Sequence, residues 1–265
     1  MHAVLARVAH ELRLMGVALQ FLTRVPVQFQ AFDPAWLNPS SRHFPLVGAL
    51  VGSVGAAVLA LSAPWWPVPV VVLLSMAATV VATGGFHEDG LADTCDGLGG
   101  TAARERALAI MKDSRLGSYG VLGLAFTLAL KAAVLCALLQ HSPALAAAAL
   151  VWAHAVSRAA AVALLATLPY AGDADHAKAK PMAQRARTVD AAVALGWVVA
   201  LGAGLGLGPL APLHLLLSAA CAATVAAGCA RWFLRRLGGY TGDTLGATQQ
   251  WTELAVYLAL AAAHG

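Results

Sequence analysis

The chain has 265 residues, of which 60% are hydrophobic and 11% charged, with a mean hydropathy of +0.72 and a formal net charge of +4. A soluble domain of this length needs more charge on its surface, so the composition excludes one and identifies an integral membrane protein. The basic excess, with a pI near 9.1, is answered by anionic lipid headgroups and calls for no nucleic acid.

In chain order, the first 30 residues set Glu11, Arg13 and Arg24 among Leu, Val and Phe. That pattern predicts an amphipathic helix lying at the membrane interface rather than a span. It does not fit a cleaved signal peptide either, because Leu14–Leu22 is interrupted by Gln20 and no small-residue cleavage pattern follows.

An apolar run of about 18 residues crosses a roughly 30 Å hydrocarbon core as a helix, at about 1.5 Å of rise per residue. Residues 44–63, 66–83, 191–208 and 210–230 are uncharged, 117–139 holds only Lys131, and 144–169 holds only Arg158. The last run, 251–263, is short, carries Glu253, and spans only if its helix begins near Leu245. The expectation is an all-α, polytopic bundle of six or seven transmembrane helices with an N-terminal interfacial helix. Residues 1–265 form one membrane-embedded domain. Ala-, Gly- and Leu-rich spans predict close packing through small residues, and the polar segment 170–190 reads as a flexible cytoplasmic loop.

Apart from Lys131 and Arg158, all of the 17 Lys and Arg lie in the N-terminal segment or in 84–116, 170–190 and 231–247. The alternate connections, SAPWWP, LQHSP and GPLAP, contain none. All four basic regions fall on one side if the N-terminus is cytoplasmic. Cys95, Cys136, Cys221 and Cys229 have neither metal-type nor disulfide spacing.

The acids concentrate in GGFHEDGLADTCDGLGG, residues 84–100. Asp89, Asp93 and Asp96 are spaced i, i+4, i+7, which places them within about 60° of one another on a helix. Such a face repels itself, more so beside a low-dielectric membrane, and predicts a bound counter-ion. Hard oxygen donors favour Mg²⁺, with Mn²⁺ as the alternative, and Mg²⁺ commonly shares its coordination between carboxylates and substrate phosphates. The flanking glycines, Gly90 and Gly97 among them, let backbone approach a ligand. His87 is an orienting donor, a general base or a metal ligand, or else an interfacial histidine with an ordinary hydrogen bond. Glu88 points away from the Asp face.

IMKDSRLGSYG, residues 110–120, supplies Lys112, Asp113, Ser114 and Arg115 ahead of the next span. Lys and Arg beside Ser and Gly suit phosphate oxygens, and a juxtamembrane basic anchor is the plainer alternative. GGYTGDTLGA, residues 238–247, repeats the pattern, with Thr241, Gly242 and Thr244 around Asp243. It reads as a metal ligand or phosphate cradle, or as a turn capped by Asp. Arg158, Lys131 and Glu253 inside spans call for a partner or a polar cavity. A membrane phosphotransferase and a transporter both accommodate these features. Acids gathered at one face rather than at the midplane favour the former.

Together TGGFHEDGLADTCDG (83–97), IMKDSRLGSYG and GGYTGDTLGA, with weaker echoes in FLTRVPV (21–27) and SRAAA (157–161), resemble the adenosylcobinamide-GDP ribazoletransferase (cobalamin synthase) family over nearly the whole chain. The resemblance implies a Mg²⁺-dependent enzyme of the bacterial inner membrane, with its site facing the cytoplasm. It would join adenosylcobinamide-GDP to α-ribazole, or to α-ribazole 5′-phosphate, with GMP leaving. On this basis Asp89, Asp93, Asp96, Asp113 and Asp243 are expected at the metal. Gly90, Gly97, Ser114, Thr241 and Gly242 are expected around the substrate or ion. His87, Asp93, Lys112 and Arg115 are expected in the chemistry. Lipid is an expected partner, and a homo-oligomer is left open. The acid motif is also similar to the Asp-rich signature of CDP-alcohol phosphatidyltransferases, which keeps a lipid phosphotransferase as the alternative.

Overall fold

Glycine and proline punctuate this chain, and the helix ends follow them. The computed structural model describes residues 2–28, 33–101, 103–172 and 185–264. Its long helices are α1 (His2–Leu22), α2 (Phe44–Ser62), α3 (Val68–Thr83), α4 (Phe86–Gly99), α5 (Arg104–Met111), α6 (Ser118–His141), α7 (Pro143–Thr167), α8 (Thr188–Leu205), α9 (Pro212–Leu237) and α10 (Gly242–Ala262). Short turns, Pro34–Trp36, Leu37–Ser40 and Ser41–His43, lead into α2. Proline stands in the first turn of α2, α3, α7 and α9, where its missing N–H costs nothing. No strand is formed among the described residues, only an isolated bridge between Tyr170 and Tyr240. The expected loop at 170–190 falls mostly on 173–184, outside the described residues.

By length and composition, α2 with the turns before it, α6, α7, α8 and α9 are apolar enough to cross a membrane, and α3 with α4 would make a sixth crossing. Those two helices meet at 90°. Gly84 and Gly85 have φ of +74° and +73°, a conformation open to two successive glycines and costly for most other residues. The chain therefore leaves the α3 direction at this pair, and α4 runs at right angles to α3.

The interior is built by small residues and one enclosed polar helix. Helix α2 packs along α7, and a β-carbon at Gly48 would stand 2.2 Å from the carbonyl oxygen of His154. Leu135, Leu138, Leu150, Trp152, Val256 and Leu260 form the main core, in which the Trp152 indole donates to Ser218 Oγ at 3.0 Å. Helix α10 begins at Gly242, but it is not among the helices apolar enough to cross, and it carries Gln249, Gln250 and Glu253. It is packed against α4, α6, α7 and α9, so its polar groups meet protein rather than lipid. The outer surfaces of the spans expose Leu61, Leu73, Phe126, Val199 and Leu216, as a lipid-facing surface should.

Helix α1 buries Leu14, Val17, Ala18 and Leu22 and exposes Val4, Leu5, Val8 and Leu12, the two-faced pattern expected of an interfacial helix. It is held to the bundle through Arg42, whose guanidinium pairs with Glu11 at 2.8 Å and with the buried carboxylate of Asp190 on α8.

Candidate active site

Helix α4 forms in spite of its glycines because other elements grip it on several sides. Gly90 and Gly246 lie where α4 meets α10. A β-carbon at Gly90 would be 2.8 Å from the Asp243 carbonyl oxygen and 3.0 Å from its Cα, and one at Gly246 would be 3.3 Å from Gly90 Cα. Only glycine permits this backbone contact. It seats the first turn of α10 directly against the acidic helix.

That first turn is capped by its own threonines. Thr244 N donates to Thr241 Oγ1 at 3.2 Å, and Thr241 N donates to Thr244 Oγ1 at 2.8 Å, the reciprocal arrangement of a capping box. Asp243 follows the cap, with the Thr241 hydroxyl 3.5 Å from its Oδ2. The α4 acids and Asp243, distant in sequence, therefore share one end of the bundle. Burial first, then the charges of Asp243, Asp89 and Asp96, push the Asp93 carboxyl up to about 7. Crowding of this kind is what a divalent cation relieves.

Asp96 has a second task. Its carboxylate oxygens accept from Gly117 N at 2.7 Å and Gly120 N at 2.8 Å, so it caps α6 from across the chain. A β-carbon at either glycine would stand 2.4 Å from an Asp96 oxygen, which explains both glycines of LGSYG. Gly97 is turned away from this group and receives the Met111 side chain, 2.6 Å from where its β-carbon would be. Its place is the packing of α5 on α4.

Lys112, Asp113, Ser114 and Arg115 lie in the connection between α5 and α6. Asp113 accepts from Arg115 Nε at 2.9 and 3.1 Å and from Arg115 N at 3.1 Å. These bonds hold the Asp113 carboxyl down to about 2. Among the described residues the structure pairs the Asp113 side chain with Arg115 rather than with the α4 acids. Asp113 presets the Arg115 fork. Ser114 and Lys112 are exposed beside it.

His87 is buried, with its ring edge-on to Phe86 at 5.3 Å. The charges that act on it are those of Arg158, Glu253, His154 and Lys131 rather than the α4 acids. It belongs to the inner side of α4. On that side Lys131 pairs with Glu253 at 2.9 Å, and His154 and Arg158 approach the other Glu253 oxygen at 3.5 Å. The three intramembrane charges thus answer one another. Sequence reasoning left out Glu88, His154, Gln249 and Gln250 from this group. The adjacent Gln249 and Gln250, four and three residues before Glu253, were the signal available.

Asp89, Asp93 and Asp243 fit a divalent cation by donor type and by mutual repulsion. As the side chains stand, no three His, Cys, Asp or Glu among the described residues already surround one ion position. Ligation would draw the carboxylates of α4 and α10 together.

Residues 14–261 match the family model described as cobalamin-5-phosphate synthase. The chain belongs to that family. It is 60% identical over 260 residues to a protein of Leptothrix cholodnii named adenosylcobinamide-GDP ribazoletransferase, covering 96% of this chain and 97% of the relative. Proteins of the same name from Shewanella amazonensis and Albidiferax ferrireducens are each 45% identical, over 254 and 270 residues, covering 94% and 92% of this chain and 95% and 96% of those relatives. No solved structure gives a significant match. In this member of the cobalamin-5-phosphate synthase family, all three motifs read from the sequence meet at one end of the bundle.

Proposed function

We propose that this protein joins adenosylcobinamide-GDP to α-ribazole, or to α-ribazole 5′-phosphate, and releases GMP. The observation that carries the reading is the seating of Asp243 against the Asp89–Asp93 face through Gly90 and Gly246, in a chain whose relatives bear that activity in their names. A ribose hydroxyl oxygen bonds to the phosphorus on the cobinamide side of the pyrophosphate. The bond from that phosphorus to the bridging oxygen breaks, its electron pair leaves with GMP, and the hydroxyl proton is released.

Asp89, Asp93 and Asp243 would hold Mg²⁺, or Mn²⁺ in its place, which would supply positive charge to the pyrophosphate oxygens. Asp96 borders this group while tying α6 to it. Lys112 and Arg115 neutralise non-bridging oxygens, with the Arg115 fork set by Asp113. The first N–H groups of α10, beginning at Gly242, face the same anion. His87 steadies α4 from within. The membrane is a bacterial inner membrane and the acids face the cytoplasm, a reading supported by Arg104, Arg236 and Arg24 at this end of the bundle. Arg104 donates to Leu237 O, Arg236 to Leu98 O, and Arg24 N to Ala82 O.

Purified protein in detergent, given adenosylcobinamide-GDP, α-ribazole and Mg²⁺, should yield GMP and a corrinoid product in equal amounts, and EDTA should stop both. Absence of GMP, with turnover of a CDP-alcohol and lipid instead, would overturn the reading.

A further inference from the structure

Glu88 precedes Asp89 and points about 100° away from it around the helix, into the bundle rather than toward the acids. Its Oε1 accepts from Gln250 Nε2 at 2.9 Å. Gln250 Oε1 in turn accepts from Lys131 Nζ at 2.8 Å, and Lys131 reaches Glu253. Gln249 Nε2 donates to Glu253 Oε2 and to Ser157 Oγ, the latter at 3.1 Å, while Arg158 donates to the His154 carbonyl at 3.1 Å. One continuous buried network therefore runs from α7 through α10 and α6, and it ends on the back of the acidic helix at Glu88.

Stability alone does not explain these groups. Buried ions pay a desolvation penalty that apolar side chains of similar volume avoid. Glu88 Oε2 and Arg158 Nε, moreover, are shut off from solvent without a hydrogen-bond partner among the described residues. Helix α4 takes its rotation from its neighbours: Asp96 ties its later turns to Gly117 N and Gly120 N of α6, and Glu88 is held at its first turn. The helix hangs from the left-handed pair Gly84 and Gly85 and contains Gly90, Gly97 and Gly99. A turn of about 100° would exchange Asp89 for Glu88.

We propose that Glu88 is a positioning residue: held by Gln250, which Lys131 holds in turn, it fixes the first turn of α4, as Asp96 fixes the later ones, so that Asp89 and Asp93 present to Asp243 and the divalent cation. This rests on the metal-binding reading above. It extends that reading to a residue on the opposite face of the helix, acting through α4 rather than on the ion.

The test is Mn²⁺ binding to the purified, substrate-free protein, followed by electron paramagnetic resonance, beside the Mg²⁺ dependence of GMP release and the melting temperature. Glu88→Ala and Gln250→Leu should each weaken Mn²⁺ binding about tenfold, the scale on which supports behind metal ligands act. They should raise the half-saturating Mg²⁺ concentration in step. Glu88→Gln keeps an acceptor toward Gln250 and should restore binding to within about threefold of the unaltered protein. Glu88→Asp keeps the charge but falls short of Gln250, so it should weaken binding with little effect on folding. Melting temperatures that fall while Mn²⁺ affinity stays unchanged would reduce Glu88 to a packing role and overturn the proposal. If the unaltered protein binds no Mn²⁺ and releases no GMP, the metal reading itself fails and takes the proposal with it.

Discussion

Gly90 and Asp243 touch backbone to backbone: a β-carbon on residue 90 would lie 2.8 Å from the Asp243 carbonyl oxygen. This contact joins the acid motif to the GGYTGD motif. Gly90→Ala tests it, because the atoms in the way are backbone and cannot swing aside. Overpacking costs about 1–3 kcal/mol and alanine recovers about 1 kcal/mol of helix propensity, so stability should fall by no more than about 2 kcal/mol. Separation of α4 from α10 should nevertheless lower GMP release at least about tenfold, since small misplacements at a reacting centre are costly. Turnover rates beside melting curves of the same preparation check this.

Asp93→Asn separates function from fold in the opposite sense. Burial first, and then the charges of Asp243, Asp89 and Asp96, push the Asp93 carboxyl up to about 7. Removing its charge relieves repulsion in the metal-free protein. The melting temperature in EDTA should therefore stay level or rise, while GMP release should fall by about 100-fold or more for loss of a central metal ligand. Near-normal turnover would remove Asp93 from the metal.

Asp96→Ala should behave as a structural lesion. It leaves the N–H groups of Gly117 and Gly120 without their acceptor, at about 1–3 kcal/mol for each buried donor left unmet. Thermal stability should drop even in EDTA, unlike Asp93→Asn. Asp96→Asn, which keeps one acceptor oxygen, should recover part of that loss. Equal melting temperatures for the alanine variant and the unaltered protein would remove the capping role.

The helices were largely legible because their signals are local. Proline in first turns, glycine at α3 and α9 ends, and uncharged runs of spanning length each act within a few residues. The i, i+4, i+7 acids likewise follow from helical geometry and do lie on a helix. The 90° turn at Gly84 and Gly85 was not legible, since two glycines permit many directions and packing selects one. The second role of Asp96 depends on α6 arriving beside it, and the pairing of Asp113 with Arg115 depends on how the connection folds. Glu88 shows the limit most plainly: its partner Gln250 lies at the far end of the chain, and periodicity reports only which way a side chain points.

Asp113 and Arg115 offer the last discrimination, because a metal role and an arginine-setting role for Asp113 predict different kinetics. Arg115 is exposed and Asp113 half-buried, and among the described residues their side chains pair with each other, so neither substitution should move the melting temperature. Arg115→Ala should raise KM for adenosylcobinamide-GDP about tenfold, as loss of one charge-assisted phosphate contact does. Asp113→Asn retains an acceptor for the guanidinium and should change KM by no more than about threefold, with the Mg²⁺ dependence unaltered. A marked rise in the Mg²⁺ requirement of Asp113→Asn would instead put this carboxylate at the ion, and would require the connection before α6 to fold over α4 when substrate binds.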